Sequence, residues 1–275
     1  MKIVLLESLG VPEEVLNACA KPLTDAGHTF VAYPRDTDPQ VQIARAGDAD
    51  VIMIANMPLR GEVIAACPDL KYIDVAFTGV DHVDLEAARA SGCTEALAGT
   101  LDLLRPARDT DYNLRGDFGL SVFNSQALKE LKRLGLSSAT ASFELKLAQV
   151  RDISKALDIE LIVYGRLPLM VTENCIIKNR SGRCGCDGVN QLTDRKGERF
   201  PVVKAPGCRS EILNAKTLFL ADKRGDYQRV GLWAARLLFT TESAAECVRV
   251  TERYLGRGSY EPKDYTRGLY YRDVE

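Results

Sequence analysis

Within residues 1–92, short apolar runs alternate with stretches at helical spacing, and this alternation limits the chain to few folds. The runs are "KIVLLES", "HTFVAYP", "DVIMIAN" and "LKYIDVAF". Between and after them stand "PEEVLNACAKPLTDAG", "DPQVQIARAG", "LRGEVIAACPD" and "DLEAARASG". Strands buried on both faces read as continuous Val/Ile/Leu runs, and parallel neighbours need a crossover long enough for a helix. The pattern therefore predicts βαβ units around a parallel sheet, an α/β fold.

The alternation continues past residue 93. "TEALAGT" leads to "LDLLRPARD", "YNLRGDFGL" to "SQALKELKRLG", and "SATASFEL" to "LAQVRDISKALD", followed by "IELIVYGRLPLM". From 171 the pattern breaks into a Cys- and Arg-rich stretch, to about 230, with short strands "RFPVVK" and "TLFLAD". A helix-capable "VGLWAARLL", a strand-like "LLFTTES" and the helix "SAAECVRVTERYLG" close the chain. Charge divides at the same place. Residues 1–92 carry 7 Lys/Arg and 14 Asp/Glu, whereas 176–236 carry 13 basic and 6 acidic residues. The expected organisation is a 1–92 segment and a 93–275 segment, the second with a basic face suited to an anionic partner such as RNA or a small anion. An oligomer is compatible with this organisation. No apolar run approaches the roughly 20 residues of a membrane span, and "MKIVLLESLGVPEE" reads as a first strand and not a signal peptide. A cytoplasmic protein without a membrane partner is expected.

In that compartment eight cysteines are not expected to be structural disulfides. Cys19, Cys67 and Cys93 stand singly and read as small core residues. The other five read C-x8-C-x-C-x21-C-x38-C from Cys175 to Cys247. The spacing is not that of a C-x2-C zinc knuckle, and the chain's two histidines, His28 and His82, lie outside this half. Thiolates from a long loop suit an iron–sulfur centre, with zinc or unliganded thiols as the alternatives.

Two resemblances cover different parts of the chain. "MKIVLLESLG", "DADVIMIANMPL" and "LKYIDVAFTGVDHVDLEAARASG" make residues 1–92 similar to the opening of the D-isomer-specific 2-hydroxyacid dehydrogenases. That resemblance implies a flavodoxin-like segment with the "TGVDHVDL" turn near its cleft. The glycine fingerprint G-x-G-x-x-G, which lets backbone amides approach a dinucleotide pyrophosphate, occurs nowhere in the sequence. Hydride transfer is therefore not expected, and no NAD.

From about 94 to 275, "RGDFGLSVFNSQAL", "VYGRLPLMVTENC", "LTDRKGERFPV", "GCRSEILNA" and "YTRGLYYRDVE" resemble the collagenase-like peptidase family. That resemblance implies the later strands of a (β/α)8 barrel with a Cys-rich extension, the flavodoxin-like segment supplying the earlier strands. It also implies a [4Fe–4S] cluster on Cys175, Cys184, Cys208 and Cys247, with Cys186 as the other fourth ligand. The activity implied is hydroxylation-type chemistry on RNA or a small aromatic, or a vestigial peptidase. The rival readings are a dehydrogenase-related NAD-dependent oxidoreductase lacking its catalytic half and an inactive chimera, natural or engineered. In a parallel barrel, active residues meet at the carboxyl ends of the strands. The expected catalytic set there is Asp117, Glu144, Tyr164 and Arg166: two acids for proton transfer, a phenol, and a guanidinium for an anion.

Overall fold

The computed structural model describes residues 1–76, 82–92, 94–101, 104, 112–183, 185, 190–205 and 209–272. It divides into two compact units, Met1–Thr94 and Glu95–Glu275.

The first unit follows the alternation in its sequence. Strands β1 (Lys2–Leu5), β2 (Thr29–Ala32), β3 (Val51–Ile54) and β4 (Tyr72–Val75) form one parallel sheet in the order β2-β1-β3-β4. Helices α1 (Glu13–Asp25), α2 (Pro39–Ala46), α3 (Gly61–Ala65) and α4 (Leu85–Ala90) connect or follow them. The helix starts are written in the sequence. The Asp38 carboxylate accepts the Gln40 amide at 2.8 Å and the Asp84 carboxylate accepts the Ala87 amide at 3.0 Å, satisfying N–H groups that have no partner within the helix. Alternate residues of β1 and β3 (Val4, Ile52, Ile54) pack with Leu6, Met57, Leu59, Val63 and Ile64 into one buried cluster. Gly61 leaves room for the Asp84 cap of α4: a Cβ on it would stand 2.6 Å from that carboxylate.

The second unit holds β5 (Glu95–Ala98), β6 (Asn113–Gly116), α5 (Ser125–Arg133), β7 (Leu136–Thr140), α6 (Leu147–Asp152) and β8 (Asp158–Gly165). After them come β9 (Pro168–Thr172), α7 (Ile176–Ser181), β10 (Asn190–Thr193), β11 (Arg199–Ala205), β12 (Arg209–Leu213) and β13 (Thr217–Phe219). The chain ends with α8 (Arg224–Gln228), β14 (Ala234–Leu238), α9 (Ala244–Tyr254) and β15 (Tyr265–Thr266). Strands β5, β6, β7 and β8 run parallel in that order. β8 also takes β14 in parallel and the short β13 antiparallel.

Two sequence expectations change here. Among the described residues the ladders make three sheets and no closed ring of eight strands, and β9–β12 pair antiparallel in the order β10-β11-β12-β9 as a sheet of their own. That sheet occupies much of the stretch read as a Cys-rich extension. The run "VGLWAARLL", whose Ala and Leu favour a helix, contains strand β14: its ladder runs from Ala234 opposite Glu160 to Leu238 opposite Gly165. Gly165, at φ +130°, makes that pairing possible, since a Cβ there would lie 2.1 Å from the Leu238 carbonyl oxygen. Among the described residues no helix is long and apolar enough to cross a membrane.

Candidate functional site

In the first unit, chemistry gathers at the carboxyl edge of the sheet, where ligands of open parallel sheets bind. Glu7 follows β1 and is only 2% exposed. Its Oε1 accepts the amides of Ala55 and Met57, each at 2.7 Å, from the loop after β3. Its Oε2 accepts from the Arg35 guanidinium, which also donates to Asn56 Oδ1 at 2.6 Å. A carboxylate taken out of water needs such donors, and here they lock two loop ends together. The Arg35 side chain remains 45% exposed, so the far side of the fork faces solvent. Next to this node, the loop after β3 is tied to the turn after β4: Leu59 donates its amide to the His82 carbonyl at 2.8 Å, and Asp84 donates to the Leu59 carbonyl at 3.0 Å. Thr78, Gly79, Val80 and Asp81 of the "TGVDHVDL" turn lie outside the described residues. On β4, burial raises the pKa of the Asp74 carboxyl.

In the second unit, one polar row crosses the sheet. Thr140 at the end of β7 stands opposite Glu160 of β8. Its hydroxyl lies 2.8 Å from Glu160 Oε1 and 3.1 Å from the Gly116 carbonyl. Arg236 of β14 is paired with both Asp117 and Glu160. Beside it, Arg115 donates to Glu95 at 2.6 Å and sits 4.3 Å over the ring of Trp233.

The four expected catalytic residues stand at or just beyond the carboxyl ends of β6, β7 and β8, three adjacent strands. Asp117, Tyr164 and Arg166 are each engaged by a different partner, and Glu144 borders a groove. Asp117 pairs with Arg236 and accepts the Phe118 amide at 2.7 Å. Glu144 borders a groove of about 330 Å³ with Phe143, Met170 and Glu211, and burial raises the pKa of the Glu211 carboxyl. The rings of Phe118 and Phe143, sequence neighbours of these two acids, pack 5.8 Å apart. Tyr164 is buried and donates to Glu242 at 3.2 Å. Burial first, then the charge of Glu242, pushes its phenol far up. Arg166 donates to the carbonyls of Asn214 (3.0 Å) and Ala215, which ties β8 to the turn before β13. Sequence reading missed Glu7, Arg35, Glu160 and Arg236. An acid closing an apolar strand run was the available signal for Glu7.

The expected metal ligands divide. Cys175 is the N-cap of α7, where its sulfur accepts the Lys178 amide at 3.4 Å. Cys247 lies on α9, its carbonyl accepting the Thr251 hydroxyl at 2.8 Å. Cys184, Cys186 and Cys208 lie outside the described residues. Among the described residues no three His, Cys, Asp or Glu side chains are grouped to hold a metal ion. Of the single cysteines, Cys67 is buried as expected, Cys19 is exposed, and Cys93 lies outside the described residues.

Comparison with known proteins corrects the functional expectation. Residues 3–98 match the family model of the D-isomer specific 2-hydroxyacid dehydrogenase catalytic domain. The glycerate dehydrogenase of Methylorubrum extorquens is 39% identical over 67 residues, 24% of this chain and 21% of that protein. The hydroxypyruvate reductase of Blautia hydrogenotrophica is 36% identical over 94 residues, 34% of this chain and 28% of that one. The chain thus spans less than a third of the length of these relatives. These matches, with the absence of a metal-holding group among the described residues, overturn three linked expectations. The first is the collagenase-like peptidase identity with its hydroxylation or peptidase activity. The second is the [4Fe–4S] cluster as the chain's cofactor; three of its expected ligands, Cys184, Cys186 and Cys208, lie outside the described residues. The third is the exclusion of nicotinamide chemistry. The dehydrogenase resemblance of the first segment is the one the comparisons support.

Proposed function

We propose that the chain is a dehydrogenase-family oxidoreductase whose first unit, Met1–Thr94, presents a small 2-hydroxy or 2-oxo acid. The match of residues 3–98 to the dehydrogenase catalytic domain carries the reading. The chemistry at the sheet edge is compatible with it. Arg35 is fixed on one side by buried Glu7 and by Asn56, which leaves the exposed side of its fork to take a substrate carboxylate.

The family implies a nicotinamide dinucleotide, and the helix starts of the first unit do not fit its pyrophosphate. The helix starts of the first unit carry acids: Glu13 and Glu14 in the first turn of α1, Asp38 before α2, and Asp84 before α4. Asp38 and Asp84 accept the amides a phosphate would need. With no G-x-G-x-x-G turn in the sequence, no step is assigned to the dinucleotide. What this chain's residues supply is recognition of the acid.

The test is binding of glycerate and hydroxypyruvate to the purified chain by calorimetry, alongside absorbance at the NADH band with hydroxypyruvate added. Saturable binding of either acid, weakened roughly tenfold in Arg35→Met by loss of one charge-assisted contact, is expected. No binding of either acid together with no turnover would refute the proposal.

A further inference from the structure

A cavity of about 350 Å³ lies between α8, α9 and the start of β14, wholly within the second unit. Its size falls within the range of small-molecule sites. Its walls include Tyr227 and Tyr254, with Trp233 and the small side chains of Ala234 and Ala235 along the strand. No Asp or Glu lines it, and Arg224 does.

The two tyrosines differ in what they offer. The Tyr254 hydroxyl donates to the Val163 carbonyl at 2.6 Å and accepts the Leu220 amide at 2.9 Å. Its ring is further held edge-on against Phe219 at 5.9 Å. Tyr254 therefore presents a fixed apolar face and no free donor. Tyr227 is buried, and its hydroxyl makes no hydrogen bond among the described residues. Burial keeps that phenol protonated, with the Arg224 charge opposing the shift. The Arg224 guanidinium has no carboxylate partner among the described residues. It reaches from α8 toward the end of α9, where a Cβ on Gly256 would stand 3.9 Å from its Nη1. An unpaired cation and an unused donor thus share a recess with aromatic walls and no opposing negative charge.

We propose that this cavity binds a small planar aromatic carboxylate, its ring against Tyr227 and Tyr254 and its carboxylate on Arg224 with the Tyr227 hydroxyl as second donor. The ring supplies the apolar and edge-to-face contact, and the guanidinium supplies the charge-assisted hydrogen bonds. The site is independent of the acid-binding role assigned to the first unit.

The chain's single tryptophan is Trp233, on the cavity's border, so its fluorescence reports locally. Benzoate, benzyl alcohol and acetate would each be titrated into the full chain, followed by calorimetry and by Trp233 emission. Benzoate is expected to bind saturably, and the neutral alcohol and the ringless acid at least tenfold more weakly. Arg224→Gln, at an exposed position, is expected to weaken benzoate roughly tenfold to a hundredfold. Tyr227→Phe is expected to weaken it about threefold, the worth of one neutral hydrogen bond. Far-UV circular dichroism checks that both variants fold. Benzyl alcohol binding as tightly as benzoate, benzoate affinity unchanged in a folded Arg224→Gln, or no saturable binding of benzoate by about 10 mM would each overturn the proposal.

Discussion

Replacing Glu7 by Gln tests whether the first unit is held together at the carboxyl edge of its sheet. The change keeps the side-chain shape and removes the charge. In the native unit Glu7 accepts three hydrogen bonds while only 2% exposed: two amides at 2.7 Å and the Arg35 guanidinium. Charge-assisted hydrogen bonds are worth about 1.5–3 kcal/mol and neutral ones about 1. The two amide bonds survive as neutral contacts, each weaker by about 1 kcal/mol. The ion pair is lost, and the new carboxamide turns a donor toward a guanidinium that can only donate. Because Arg35 is half exposed, that loss counts at the low end, about 1 kcal/mol. The expected destabilisation is about 3 kcal/mol. Guanidinium chloride unfolding followed by far-UV circular dichroism measures it. Trp233 fluorescence reports the second unit, so a CD transition that moves while the fluorescence transition stays would place the loss in Met1–Thr94. A loss below about 1 kcal/mol would refute the reasoning, since surface changes alone reach nearly that.

Two further perturbations probe the rest. Arg236→Met leaves Asp117 and Glu160 as neighbouring carboxylates without their shared cation, and is expected to cost about 2–4 kcal/mol. Adding Asp117→Asn should restore part of this, measured as a coupling energy in a double-mutant cycle of chemical unfolding. Asp74→Asn is expected to stabilise the chain at neutral pH by less than about 1 kcal/mol. The folded-state pKa of Asp74 is raised by burial, so its contribution is full below the ordinary carboxylate pKa and is lost as pH rises through the folded value. The gain in the variant should therefore vanish in unfolding measured at acid pH, and a gain that persists there would contradict it.

The first unit was legible because its physics is local and repeated. A run such as "DVIMIAN", short, apolar and between helical stretches, reads as a strand of a parallel sheet, and Asp38 and Asp84 announce the helices they cap. The second unit was less legible because long-range pairing decided its local structure. "VGLWAARLL" has helix-forming residues, yet a ladder to β8 made its later half a strand. That misreading hid the chemistry with it, since Arg236 and Trp233 belong to the same run. "IELIVYGRLPLM" reads as one strand, yet Gly165 at φ +130° ends β8, and β9 then joins a different sheet.

The cysteines were less legible, because spacing in sequence does not tell which thiols meet: among the described residues Cys175 and Cys247 join no group that could hold a metal ion, and Cys184, Cys186 and Cys208 lie outside them. Sequence distance between thiols does not say what each sulfur contacts. Cys175 caps α7 through the Lys178 amide, as a Ser or Asp would. Glu7 shows how such a signal could be read more safely. A charge that closes a buried parallel strand must meet donors at the carboxyl edge of the sheet, because the loops there leave amides unpaired and water is excluded. Applied to β1, that argument selects Glu7 and asks for a cation in a neighbouring loop, and Arg35, three residues beyond β2, provides it. The same argument applied to Cys175 finds one such donor, the Lys178 amide at the start of α7.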